Sequence, residues 1–122
     1  MPRDPAQHPQ DDRVRVSHML TAARDVLRLA EGRERGHLGT DMALRRAMIH
    51  AIQEIGEAGT KVSPLFRAQS PGVPWSVIVG MRNRLVHGYD SINLDTVWLV
   101  ATQEIKPLIG LLEAAIGGAS AL

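Results

Sequence analysis

Cysteine is absent from this sequence, so no disulfide or thiolate metal site can staple the fold, and the absence fits a reducing compartment such as the cytoplasm. Aromatic residues are scarce, at 3% against 44% hydrophobic residues overall, which disfavours an aromatic-rich β-sandwich. Leu, Ile, Val, Ala and Met packed at helical spacing are expected instead. No apolar run reaches the length of a membrane span, and Met1-Pro2-Arg3-Asp4-Pro5 has no signal-peptide core, so a soluble cytoplasmic protein with no membrane contact is expected. The histidines, His8, His18, His37, His50 and His87, show no His-x3-His spacing, and neither metal nor cofactor is implied. Charge of one sign is missing too: the formal net charge is +1, so any contact with nucleic acid has to come from a local patch. At 122 residues the chain is long enough for one modest core.

The apolar pattern is helical throughout. Residues 1–10, with Pro2, Pro5 and Pro9, read as a disordered lead-in, and residues 117–122 as a frayed end, leaving a helical domain over 11–116. A first helix, capped by Asp11 or Asp12 and ending near Gly32, buries Val16, Met19, Leu20, Ala23, Leu27 and Ala30. Its arginines, Arg13, Arg15, Arg24 and Arg28, followed by Arg33 and Arg35, read as a solvated face rather than a phosphate-binding one. Thr40 can cap a second helix with the stripe Leu44, Ala47, Met48, Ala51, Ile52, Ile55, Ala58 and Val62. On its flank Glu54 and Glu57 are expected at the surface, with a weaker reading in which they orient a cation. Gly56 and Gly59, three apart, would let another helix approach closely.

Ser63-Pro64 opens a short helical turn, and Pro74 starts a third helix that Gly88 can end. In that helix Arg82 shares a face with Trp75, Ile78, Val79, Leu85 and Val86, which puts its guanidinium on or beside the apolar stripe. An interface ion pair would explain such an arginine as well as a catalytic role does. His87 and Tyr89 fall at the helix edge and in the following loop, where a histidine commonly serves the helix dipole. Asn93 can cap the last helix, with the stripe Leu94, Val97, Trp98, Ala101, Ile105, Leu108, Leu112 and Ala115 and a kink expected at Pro107. These features define an all-α antiparallel bundle of four principal helices with a short extra helical turn.

The chemistry concentrates in Gly80-Met81-Arg82-Asn83-Arg84-Leu85-Val86-His87-Gly88-Tyr89-Asp90. Arg82 offers a planar, permanently charged fork for a phosphate, His87 can exchange a proton near neutral pH, and Asn83 is a polar neighbour. Such a set suits RNA cleavage by the substrate's own 2′-hydroxyl, which needs a base, an acid and positive charge on the phosphorane. One histidine cannot hold both protonation roles at once, whereas a symmetric dimer would bring two copies to one groove.

Arg82, His87 and Tyr89 follow the pattern Arg-x4-His-x-Tyr. Together with Ile55-Gly56-Glu57-Ala58, Val73-Pro74-Trp75, Ile78-Val79-Gly80-Met81-Arg82-Asn83 and Asp95-Thr96-Val97-Trp98, in order from about Asp12 to Glu113, they resemble the HepT-like branch of the HEPN superfamily. The resemblance implies a homodimeric, metal-independent endoribonuclease that is the toxin of a type VII-like toxin–antitoxin pair, with Arg82, Asn83 and His87 as its catalytic residues. It also implies an MNT-type nucleotidyltransferase antitoxin, in a possible larger hetero-oligomer, that neutralises the toxin by transferring AMP from ATP to Tyr89. Two other readings remain open on the residues: a non-catalytic nucleotide-binding module, and a scaffold that only docks the transferase. Arg84 and the first-helix arginines are candidates for the RNA surface, and nothing in the sequence chooses among them.

Overall fold

The computed structural model describes residues 9–87 and 91–120 and, of these, all side chains but those of 9–10, 86–87 and 118–120. The fold is all-α. Two long helices, α1 (Pro9–Ala30) and α3 (Met42–Thr60), pack against each other, joined through the single turn α2 (His37–Thr40). Gly32, with φ +70°, lets the chain leave α1 in the left-handed region that side-chain-bearing residues avoid. The chain then makes three short helices, α4 (Pro64–Gln69), α5 (Trp75–Val79) and α6 (Met81–Leu85). Strands β1 (Val86–His87) and β2 (Ser91–Ile92) pair antiparallel, Val86 opposite Ile92 and His87 opposite Ser91. The last rod is α7 (Leu94–Leu99), a π-helical segment (Val100–Glu104) and α8 (Ile105–Ser120), which returns along α1. The domain limits expected at 11 and 116 fall inside α1 and α8.

Met19, Met48, Ile52, Ile55, Ile78, Leu85, Ile105 and Leu112 are fully buried where these helices meet. Each such side chain contributes about 1.5–3 kcal/mol through removal from water. Gly56 and Gly59 have the packing role their spacing indicated. A Cβ on Gly56 would lie 3.2 Å from the carbonyl oxygen of Ile78, and one on Gly59 would lie 2.7 Å from Ile78 Cγ2. A side chain at position 59 would force α5 to shift, and one at position 56 would press on its backbone.

Polar contacts fix the turns. Ser63 caps α4 by accepting from Phe66 N at 3.1 Å, with Pro64 in the first helical turn, and Asn93 caps α7 by accepting from Thr96 N at 3.1 Å, both as expected. Arg67, on α4, donates to the carbonyls of Gly59 (2.8 Å) and Val62 (3.1 Å), fastening α4 to the end of α3 and the turn after it. Its guanidinium also lies 5.9 Å from the centre of the Trp75 ring, which Phe66 meets edge-on.

Several expectations are corrected. α1 begins at Pro9, upstream of the expected cap, so Asp12 lies in its first turn and caps nothing. Its buried carboxylate accepts instead from Ser63 N and Ser63 Oγ, both at 2.7 Å, tying the start of α1 to the end of α3. Asp41, not Thr40, caps α3 by accepting from Leu44 N at 3.0 Å, because residues 37–40 already form α2. The third helix is broken at Gly80 and stops at Leu85, short of Gly88. Pro107 acts through a π turn: Ile105 N bonds to Val100 O, widening the helix just before the proline, whose ring would crowd the carbonyl of Gln103.

That wide turn positions Glu104 to receive Arg84 in a two-pronged contact, Nη1 to Oε1 at 2.7 Å and Nη2 to Oε2 at 2.8 Å. Hydrogen bonding from Arg84 holds the Glu104 carboxyl below its ordinary value against partial desolvation, with charge attraction adding to the effect.

Four outcomes follow for stability, all readable by urea denaturation. Gly59→Ala is expected to destabilise the chain by about 1–2 kcal/mol, since overpacking against buried Ile78 outweighs the helix-propensity gain of about 1 kcal/mol. Gly110→Ala in α8, with nothing within 4 Å of its new Cβ, is expected to stabilise it by about 0.5–1 kcal/mol. Equal effects at the two sites would remove the close approach as a constraint. Asp12→Ala leaves the buried Ser63 N–H without its acceptor and is expected to cost about 1–3 kcal/mol. A folded-state carboxyl pKa below the unfolded one stabilises above the ordinary glutamate range, and that stability is lost as pH falls through the depressed value. The difference in stability between the parent and Glu104→Gln should therefore be about 1 kcal/mol at neutral pH, discounted for the pair's one-third exposure. It should vanish under acid, and a pH-independent difference would mean that packing, not charge, is lost.

Candidate active site on helix α6

Helix α6 is five residues long and gets its orientation from its buried side. Met81 and Leu85 are buried in the core, and Arg84 is tied to Glu104. What remains on the outside is Arg82 and Asn83, both exposed. Arg82 therefore does not lie in the apolar stripe. The break at Gly80 rephases α6 against α5, so the face containing Trp75 and Ile78 does not continue through Arg82.

Its guanidinium points instead toward α3, where Nη1 lies 3.5 Å from Glu57 Oε1, the two side chains being 66% and 58% exposed. The pairing is long and open to water, so a phosphate can displace the carboxylate at small cost. Glu54 and Glu57 lie at the surface as expected, and Glu57 also faces the Arg82 cation, within the chain. Around it opens a cleft of about 210 Å³ lined by His50, Gln53, Glu54, Glu57 and Arg82. One turn back on α3, His50 Nε2 sits 2.7 Å from Glu54 Oε1, an i,i+4 contact that occupies the second carboxylate.

His87 follows α6 directly. Its backbone is extended in β1 opposite Ser91, two residues beyond the last residue of α6. The hairpin carries the chain away from α6 and back: Asn93 N donates to Leu85 O at 2.7 Å, which pins the start of α7 to the end of α6. The imidazole of His87 and all of Tyr89 lie outside the described residues. Of the expected site residues, Arg82 and Asn83 thus sit exposed on one short helix, and the backbone of His87 lies in the strand that follows it.

Most of the other arginines proposed for an RNA surface are already engaged. Arg84 is held by Glu104, Arg24 by Glu113 at 3.0 Å, Arg28 by Asp25 at 3.7 Å, Arg33 by Asp41 at 3.7 Å and Arg35 by Asp95 at 2.7 Å. The solvated-face reading of α1 holds for these residues. Sequence periodicity missed the Arg82–Glu57 pairing as a main reading, and it missed His50 altogether; Glu54 and Glu57 at i,i+3 facing an apolar-flanked arginine were the signal that could have found them. Among the described residues no group of three His, Asp or Glu side chains converges as a metal site requires, and no helix is long and apolar enough to cross a membrane.

The sequence matches the family model described as "Ribonuclease HepT-like" over residues 19–115. A protein of Methanocaldococcus jannaschii provisionally named as an RNase is 29% identical over 81% of this chain and 91% of its own length. One of Caldanaerobacter subterraneus subsp. tengcongensis, named in the same provisional way, is 30% identical over 76% of this chain and 83% of its own. A third, from Thermococcus cleftensis and provisionally named ribonuclease HepT, is 30% identical over 60% of this chain and 66% of its own. No solved structure matches the chain. Because the match takes in both the glycine face of α3 and the Arg82 helix that packs beside it, the chain belongs to the ribonuclease HepT-like family.

Proposed function

We propose that the chain is a metal-independent endoribonuclease acting as a toxin, with Arg82, Asn83 and His87 as its catalytic residues. The observation that supports this reading most is the placement of Arg82: an exposed guanidinium on α6, held among the described residues only by a long contact to Glu57, in a ribonuclease HepT-like chain. A phosphate arriving at Arg82 displaces Glu57 and gains a charge-assisted, two-pronged contact. His87 of one protomer removes the proton from the RNA 2′-hydroxyl, and the oxygen attacks the adjacent phosphorus. As the P–O5′ bond breaks, His87 of a second protomer protonates the departing 5′-oxygen, leaving a 2′,3′-cyclic phosphate and a 5′-hydroxyl. Arg82 stabilises the charge on the phosphorane, and Asn83 donates a further hydrogen bond.

In this reading a nucleotidyltransferase partner neutralises the toxin by transferring AMP from ATP to the Tyr89 hydroxyl, releasing pyrophosphate. The added bulk and negative charge stand two residues from His87, where the substrate phosphate has to approach.

Incubation with labelled RNA in EDTA tests the catalytic claim. The parent should leave cyclic-phosphate ends, His87→Ala should lose about 10²–10⁴-fold in rate, and Arg82→Ala about 10²–10³-fold, both with an unchanged urea midpoint. Equal cutting by parent and variants, or no cutting at dimer-forming concentrations, defeats the nuclease reading in favour of a non-catalytic nucleotide-binding module. With an MNT-type transferase and labelled ATP, label should enter the parent and not Tyr89→Phe.

A further inference from the structure

A larger cleft, of about 380 Å³, lies between α1 and α3, lined by Arg15, His18 and Thr21 on one side and Glu54, Glu57 and Lys61 on the other. The spacing builds it: residues 15, 18 and 21 share one face of α1, and 54, 57 and 61 share the facing edge of α3. Its cations differ from those of the rest of α1. Arg24 and Arg28 carry ion pairs, whereas among the described residues Lys61 is in none, and the buried Nε of Arg15 has no hydrogen-bond partner. Among the described residues neither Arg15 nor Lys61 is in an ion pair, so both cations that line the cleft are available to an anion entering it.

The cleft is not isolated. Glu54 and Glu57 line both it and the smaller cleft at Arg82, so the two open on either side of one carboxylate ridge. Lys61 stands one turn beyond Glu57, about 6 Å along the helix axis. A polyanion can cross this ridge only if its phosphates fall on either side, because a phosphate over the carboxylates would be repelled. Between two phosphates of RNA come a ribose hydroxyl and, in an unpaired strand, base amines, all of which are donors that carboxylates accept.

We propose that the α1–α3 cleft is a second phosphate subsite for single-stranded RNA. Arg15 and Lys61 take a phosphate flanking the one at Arg82, and Glu54 and Glu57 accept hydrogen bonds from the sugar or base between them. The proposal rests on the ribonuclease reading above, since it takes the strand through Arg82. The cleft then sets where the strand lies, while Arg82 and His87 act on the bond that breaks.

The test uses the full chain in a His87→Ala background, which the reading above leaves unable to cut, as the parent for binding, and a labelled single-stranded oligoribonucleotide that keeps its 2′-hydroxyls. Binding is measured over a range of salt concentrations for the parent, Arg15→Gln, Lys61→Gln, the double variant and Arg46→Gln, an exposed arginine of α3 outside both clefts. The double variant should bind about tenfold more weakly and lose about one from the slope of log affinity against log salt, whereas Arg46→Gln should match the parent. Affinity and slope unchanged in the double variant, or a loss equally large in Arg46→Gln, overturns the subsite. The companion cleavage assay in EDTA, with His87 in place, separates the two claims. A parent that cuts RNA but is indifferent to Arg15→Gln and Lys61→Gln overturns the subsite alone. A parent that binds through the cleft but cuts nothing overturns the nuclease and leaves the subsite standing.

Discussion

How closely α5 can lie against α3 decides where everything after it goes. Ile78 sits in the space that side chains at positions 56 and 59 would fill, with its Cγ2 only 2.7 Å from where a Cβ on Gly59 would stand. The two helices therefore meet nearly backbone to backbone. α6 follows α5 through the single residue Gly80, so the same approach brings α6 alongside α3 and sets Arg82 within reach of Glu57. Two glycines without any functional group thus determine which carboxylate the candidate catalytic arginine faces. Their cost in helix propensity, about 1 kcal/mol each, is offset by the burial that the approach permits.

Helix α6 presents two arginines two residues apart with opposite fates. Arg84 meets Glu104 through two short, parallel hydrogen bonds at 2.7 and 2.8 Å in a partly buried setting. Charge-assisted pairs of that geometry are roughly twice as strong as neutral hydrogen bonds. Arg82 meets Glu57 through one contact at 3.5 Å with both side chains more than half exposed, where an ion pair is worth about 0–1 kcal/mol. Arg84 therefore anchors α6 to the π segment, and Arg82 stays available. The π turn before Pro107 belongs to this division of labour, since it shapes the stretch that carries Glu104.

Much of the bundle was legible because helical periodicity, the Ser63-Pro64 and Asn93 caps and the Gly56–Gly59 spacing are local signals. The failures share a cause. Asp12 looks like a cap in sequence, but its partner is Ser63, 51 positions away, and no local pattern announces that. The stripe through Trp75, Ile78 and Leu85 assumes an unbroken helix, and the turn at Gly80 changes the phase by which Arg82 was assigned to the core side. Leu85 closes α6 early because its carbonyl accepts from Asn93 N, a contact made only once the hairpin has formed. The residue types of the candidate site were visible, while their orientation depended on tertiary contacts.

The near-zero net charge leaves any contact with RNA to a local patch, and the distribution of pairs shows where such a patch can lie. Arginines that looked like a basic surface on α1 and in the following loop are matched one by one with Asp25, Asp41, Asp95 and Glu113, so their fields cancel over a few ångströms. The net charge of +1 therefore describes a molecule whose positive groups are mostly spent on its own structure. Beside the clefts, the groups open to a polyanion are the weakly held Arg82 and, across the Glu54–Glu57 ridge, Arg15 and Lys61. A strand recognised this way is attracted weakly at a distance and aligned at short range, where the alternation of cation and carboxylate along the two clefts matters more than total charge.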